Sequence, residues 1–226
     1  MSATAHSRHD AYPNVQMRRL PVQSRSTQTI ECILEAASRL IGMAGRAHYT
    51  TNAVAARAGV SIGTLYQYFP NKDALTAALI LRVHERIADN LRVVVETTED
   101  LDLSTALARA IEVAITSVGE DGALHRALEQ EEDRLPRSDA LAAVEAKIEA
   151  LNAALLERYL DPDKVQGSAR HTVAMDAFKM VRAMTQSDAV QVAGPLDLKE
   201  RMHRAILGYV APLCRPDLVG PTYFST

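Results

Sequence analysis

Tryptophan is absent from this chain, cysteine occurs twice, and tyrosine and phenylalanine together supply only ten aromatic rings in 226 residues. Cys32 and Cys214 offer neither a metal-ligand spacing nor a disulfide framework, so both read as buried or incidental thiols. Hydrophobic residues make up 47% of the sequence, yet no run of about 18 consecutive apolar residues occurs, so nothing in it reads as a membrane-spanning helix. The first twenty residues, "MSATAHSRHDAYPNVQMRRL", lack the apolar core of a signal peptide and read as a polar arm on a cytoplasmic protein. Glycine-rich phosphate loops, a nucleophile elbow and Cys/His clusters are also missing. The expectation is therefore a protein that is not an enzyme and has no cofactor or metal.

Charge is unevenly placed. The net charge is -3, but residues 1 to 72 hold eight Lys/Arg against three acids, a balance of +5, and the rest of the chain carries -8. A basic front on an acidic body suggests a front that meets a polyanion. Scattered charge is the bland alternative.

Strand-like alternation is lacking, and helical spacing runs almost throughout. Ile30, Ile33, Leu34, Ala37, Leu40 and Ile41 predict an amphipathic helix of about 17 residues, capped by Ser26 or Thr27 and closed by Gly42 and Gly45. "TTNAVAARAG" reads as a short helix begun by a threonine cap and stopped by Gly59, and "VSIGTLYQYF" as a second one capped by Ser61. Pro70 ends it, Asn71 can cap the next, and a long helix is expected to about residue 98. Further helices are predicted at roughly 103–118, 121–132, 138–160, 168–190 and 196–213, separated by Gly, Pro and Asp clusters. The fold class is all-α.

Three of the ten aromatic rings fall within residues 66–69 of "GVSIGTLYQYFPNK". Two short helices joined by a glycine turn form a helix-turn-helix, whose second helix can lie in the DNA major groove. With Leu65 and Phe69 inward, Gly63, Thr64 and Gln67 point furthest outward, and Ile62, Tyr66 and Tyr68 lie on the flanks. Glycine permits close approach to a duplex, threonine can meet a thymine methyl, and glutamine can bridge adenine N6 and N7. Tyrosine hydroxyls and a lysine ammonium suit phosphate oxygens. A helical corner with half-buried tyrosines reaching solvent is the competing account.

Residues 50–75, "TTNAVAARAGVSIGTLYQYFPNKDAL", closely resemble the signature of the TetR family of one-component transcriptional regulators. Helix 1 and the long fourth helix stand in their expected places. The specific likeness covers residues 26–75; beyond them only helix number and length match. The resemblance implies a three-helix DNA-binding domain over 26–72 and a helical effector-binding and dimerisation domain over 73–215; the sequence itself reads as a flexible basic arm over 1–25 and a tail over 216–226. It implies, too, a homodimer on a palindromic double-stranded DNA operator, most often a repressor, released by a small-molecule effector. Carried over by position, Thr51, Ser61, Tyr66, Tyr68 and Lys72 correspond to phosphate contacts, and Asn52, Gly63, Thr64 and Gln67 to base-reading positions. Gly63 departs from the side-chain-bearing residues of some members, which leaves fewer base contacts there. Arg18, Arg19 and Arg25 could reach a minor groove as an arm.

In similar proteins the last two long helices pair with their symmetry mates. Here Val173, Ala177, Val181 and Met184, with Leu198, Met202, Ala205, Ile206 and Tyr209, form two apolar stripes suited to such an interface. No residue identifies the effector. Met175, Phe178, Met180 and Met184 fit an adaptable pocket wall, and core or dimer packing equally well. The acid run "EQEED", residues 129–133, reads first as a solvated face and second as a cation site. The rival class, a helical-bundle metal enzyme, needs paired Glu-x-x-His motifs. Glu200 and His203 supply one isolated half.

Overall fold

The computed structural model describes residues 24–118, 123–136, 138–186 and 197–220. Among them are nine α-helices and no strand, apart from one isolated antiparallel bridge between Leu160 and Cys214. The helices are α1 (Ser24–His48), α2 (Thr51–Ala58), α3 (Ile62–Tyr68), α4 (Lys72–Thr97), α5 (Leu103–Val118), α6 (Ala123–Glu132), α7 (Asp139–Glu157), α8 (Ser168–Gln186) and α9 (Leu198–Val210). None of the described helices is long and apolar enough to cross a membrane. The all-α expectation holds.

The chain forms two compact units. The first takes residues 1–80 together with 127–138, and the second takes 81–126 and 139–226. The division therefore falls inside α4, beyond the expected boundary at residue 72, and a stretch ending α6 joins the first unit. In that unit Ile33, Leu34, Ala37, Ile41, Val54, Leu65, Phe69, Leu75 and Leu79 are buried. In the second, Leu103, Leu107, Ile111, Leu155, Tyr159, Ala174, Met202, Ile206 and Val210 belong to the main cluster, drawn from α5, α7, α8, α9 and the turn that follows α7.

Two expectations need correction. Gly42 and Gly45 do not close α1, which continues to His48 and spans 25 residues. Glycine inside a helix costs about 1 kcal/mol relative to alanine, which the burial of Ile30, Ile33, Leu34, Ala37 and Ile41 offsets. Nor is the whole of 216–226 a tail. Leu218 and Val219 pack against the second unit's core, and the Ser104 N–H donates to the Val219 carbonyl at 3.2 Å. Residues 1–23, which hold most of the expected arm with Arg18 and Arg19, and residues 221–226 lie outside the described residues, as does the Arg25 side chain.

Candidate nucleic-acid interface

The helix pair α2–α3 is shaped by local chemistry. The Thr50 hydroxyl accepts from Ala53 N–H at 3.2 Å, which satisfies one of the donors that a helix start leaves unpaired. At the other end Gly59 adopts φ 69°, a left-handed conformation that costs side-chain-bearing residues about 1–2 kcal/mol. Gly59 N–H donates to Ala56 O and Val60 N–H to Ala55 O, closing the last turn of α2 and redirecting the chain. Ser61 then opens α3, accepting from Thr64 N–H at 3.0 Å, and Asn71 opens α4, accepting from Ala74 N–H at 2.7 Å. All three caps stand where the sequence places them.

Burial separates the faces of α3. Leu65 and Phe69 are fully buried, whereas Ser61, Ile62, Gly63, Tyr66 and Gln67 are exposed and Thr64 and Tyr68 half-buried. On α2, Asn52 is exposed and Thr51 half-buried. The Tyr66 hydroxyl lies 3.2 Å from that of Thr51, so a side chain of α3 is tied to the first turn of α2. The Ser61 and Thr64 hydroxyls lie 2.8 Å apart. The outward surface therefore carries hydroxyls, an amide pair and a bare glycine backbone, a set that can donate and accept hydrogen bonds along a polar groove.

Lys72, the first residue of α4, is held from beneath. Its ammonium stands 4.7 Å from the centre of the Tyr49 ring, within cation–π range. Tyr49 is buried, and its hydroxyl is 3.1 Å from that of Thr76, which donates to Lys72 O at 2.9 Å. Burial pushes the Tyr49 phenol up to about 12, with smaller upward contributions from Glu131 and Asp73 set against the Thr76 hydrogen bond. Sequence reasoning missed Tyr49: it precedes α2 with no periodic neighbour, and only its isolation between two helices hinted at an anchoring role.

Other singled-out residues divide. Within the second unit, Ala177, Met202 and Ile206 are fully buried and Val173 nearly so. All four lie in the second unit's core cluster. Val181, Met184, Leu198, Ala205 and Tyr209 keep part of their surface. Met175 and Met180 also pack at the core's edge. The Glu-x-x-His half-motif is engaged elsewhere: Glu200 pairs with Arg204 at 2.6 Å, and His203 Nε2 lies 3.0 Å from Ser104 O. In the acid run, Glu131 is not a solvated face residue. Its side chain is 2% exposed and paired with Arg134 at 2.6 Å.

A capped α2, a left-handed glycine turn and a short α3 with a polar outer face define the class: an all-α protein with an N-terminal helix-turn-helix. Residues 33–79 match the profile of the bacterial regulatory proteins, tetR family. The chain is 34% identical over 96 residues to the nucleoid occlusion factor SlmA of Haemophilus ducreyi, covering 42% of this chain and 44% of that protein. It thus spans less than half the length of the curated relatives that it matches. Among solved structures, a putative TetR-family transcriptional regulator from Mesorhizobium loti superposes with a TM-score of 0.67 at 18% identity, covering 85% of this chain and all of that one. SmeT, the repressor of the Stenotrophomonas maltophilia multidrug efflux pump SmeDEF, gives 0.62 at 23% identity, covering 88% and 98%. The fold of TetR-family regulators thus extends through both units.

Proposed function

We propose that the protein is a one-component transcriptional regulator, a repressor, that binds a palindromic operator as a homodimer in the cytoplasm and is released by a small molecule. The observation that carries this reading is the α2–α3 surface. Asn52, Gly63, Thr64 and Gln67 supply a compact base-reading set, and Thr51, Ser61, Tyr66, Tyr68 and Lys72 surround it with phosphate-binding groups. Selection of bound duplexes from random DNA tests it. The expected product is a palindrome, and a Tyr66→Ala, Tyr68→Ala, Lys72→Ala variant should lose it in a shift assay; unchanged binding by that variant would place the site elsewhere.

Support for the homodimer comes from the partly exposed Val181 and Met184 on α8 and Leu198, Ala205 and Tyr209 on α9, which leave apolar surface on two adjacent helices.

The effector site is best supported in the second unit, in a cavity of about 60 Å³ lined by residues of α4, α5, α7, α8 and α9. Ile87, Leu91, Leu107, Ile111, Leu155 and Phe178 make it apolar, and Asn152 is its one amide. Asn152 Nδ2 donates to Ile148 O at 2.9 Å, which leaves its Oδ1 as an acceptor. Ligand sites for drug-sized molecules run to about 300–1,000 Å³, so this cavity suits a small apolar molecule carrying one donor unless its walls move. The same small volume favours a second reading, an effector-independent regulator whose cavity is filled by its own side chains. Thermal-shift screening of small alcohols and phenols, followed by titration with and without operator, separates the two. A true effector binds more weakly in the presence of operator, by the factor by which it weakens DNA binding.

A further inference from the structure

We infer that Ile62, the first residue of α3, is a specificity-determining residue that packs against the C5-methyl group of one thymine in the major groove. The inference deepens the DNA-binding reading above and rests on it. Its starting point is where the exposed apolar side chains fall. Among the described residues, Ile62, Tyr66 and Val93 are the large hydrophobic ones left exposed, and two of these three stand one turn apart on α3, a helix of only seven residues.

The first turn of α3 is fixed from both sides. The Ser61 hydroxyl accepts from Thr64 N–H at 3.0 Å and lies 2.8 Å from the Thr64 hydroxyl, while the Tyr66 hydroxyl, 3.2 Å from that of Thr51, ties the helix to α2. Leu65 and Phe69 fill the core with no exposed surface, and Ile62 keeps 38% of its own. Isoleucine branches at Cβ and is held largely to one χ1 rotamer in a helix, so it loses little side-chain freedom on meeting a ligand. The structure thus presents a stiff, purely aliphatic contact at the start of the helix.

The chemistry of the groove selects its partner. An aliphatic side chain has nothing to offer a phosphate oxygen, and in a helix-turn-helix the N-terminal residues of the second helix are those that meet base edges. Ile62 stands at that end. Among the groups that the four base pairs present in the major groove, the thymine C5-methyl is the apolar one. Gly63, next in sequence and exposed, adds no side chain to hold the backbone away from the base edges. Ile62 therefore separates T·A from C·G at one position by a methyl group, without using the hydrogen bonds available to Asn52 and Gln67.

The test uses full-length protein and an operator duplex obtained by selection from random DNA. Each thymine of a half-site is replaced in turn by deoxyuridine, which deletes the methyl group and leaves every hydrogen-bonding group in place. For the wild-type protein, one of these replacements should weaken binding about fourfold per half-site, the worth of one buried methyl group. Ile62→Ala, an exposed-site change that should leave melting unaltered, should bind the thymine operator more weakly by a similar factor and lose the deoxyuridine penalty at that one position. Thr64→Ser, which lacks only the threonine methyl, should keep the penalty there. The inference is overturned if the selected half-site contains no thymine, if Ile62→Ala binds like wild type, if its binding weakens with every deoxyuridine penalty unchanged, or if the penalty disappears with Thr64→Ser and not with Ile62→Ala. Failure of the wild-type protein to select any duplex would instead remove the DNA-binding reading itself.

Discussion

The ammonium of Lys72 stands over the ring of Tyr49, 4.7 Å from its centre, so the cation at the start of α4 rests on a buried phenol. The phenol's raised pKa makes this arrangement sensitive to alkali. Tyrosine titrates near 10 when unfolded and is pushed up to about 12 here, chiefly by burial. Because the folded value is the higher one, the stabilisation is complete below about pH 10 and is lost as pH rises towards 12. It amounts to about 2–3 kcal/mol. Tyr49→Phe should therefore lower stability at pH 8 by about 1 kcal/mol through the lost hydrogen bond, and flatten the decline in chemical-denaturation stability between pH 10 and 12.

Phosphate contacts and base contacts separate in salt titrations. Lys72→Ala should weaken binding alike for every duplex and reduce the salt slope by about 1. Gln67→Ala should keep that slope and lose about 1–3 kcal/mol of discrimination at one base pair. Anisotropy titrations with the selected operator and single-base variants measure both.

Gly63 offers a change with opposite effects on stability and binding. A Cβ there would meet only Ser61 Oγ, at 3.7 Å, an ordinary contact, and the residue lies within α3. Gly63→Ala should raise stability by about 0.5–1 kcal/mol. If the exposed backbone at this point approaches DNA, the same methyl group should weaken operator binding. Thermal melts and shift assays on one preparation check the pair. Increased stability with unaltered binding would take Gly63 out of the interface.

On α9, neighbouring residues should behave differently. Glutamates at Ala205 and Tyr209, which retain exposed surface, should give a folded monomer in sedimentation velocity. Ile206→Ala, at a side chain with no exposure, should instead cost about 2–5 kcal/mol in stability and leave the oligomeric state of the folded protein unchanged.

Local signals proved readable. Thr50, Ser61 and Asn71 cap their helices, and Gly59 takes the left-handed turn, because each acts within three residues of itself. The outward position of Gly63 and Gln67 followed from helical periodicity once Leu65 and Phe69 were assigned inward. Helix α1 was less legible, since Gly42 and Gly45 suggest a stop that tertiary burial overrides. The apolar stripes on α8 and α9 were found, but periodicity cannot distinguish a face packed within one chain from a face packed against another; Met202 and Val181 look alike in sequence and differ in burial. The link between Asp73 and Arg134 was invisible, because an ion pair across 61 residues leaves no spacing to read.

The first unit is assembled from two separate pieces of chain, 1–80 and 127–138. During synthesis it is therefore incomplete until residue 138 has been added. At about 5–20 residues per second, some 3–12 s pass between the end of the first piece and the end of the second. Through that interval Asp73 lacks its Arg134 partner, although the α2–α3 turn upstream of it is already complete in sequence.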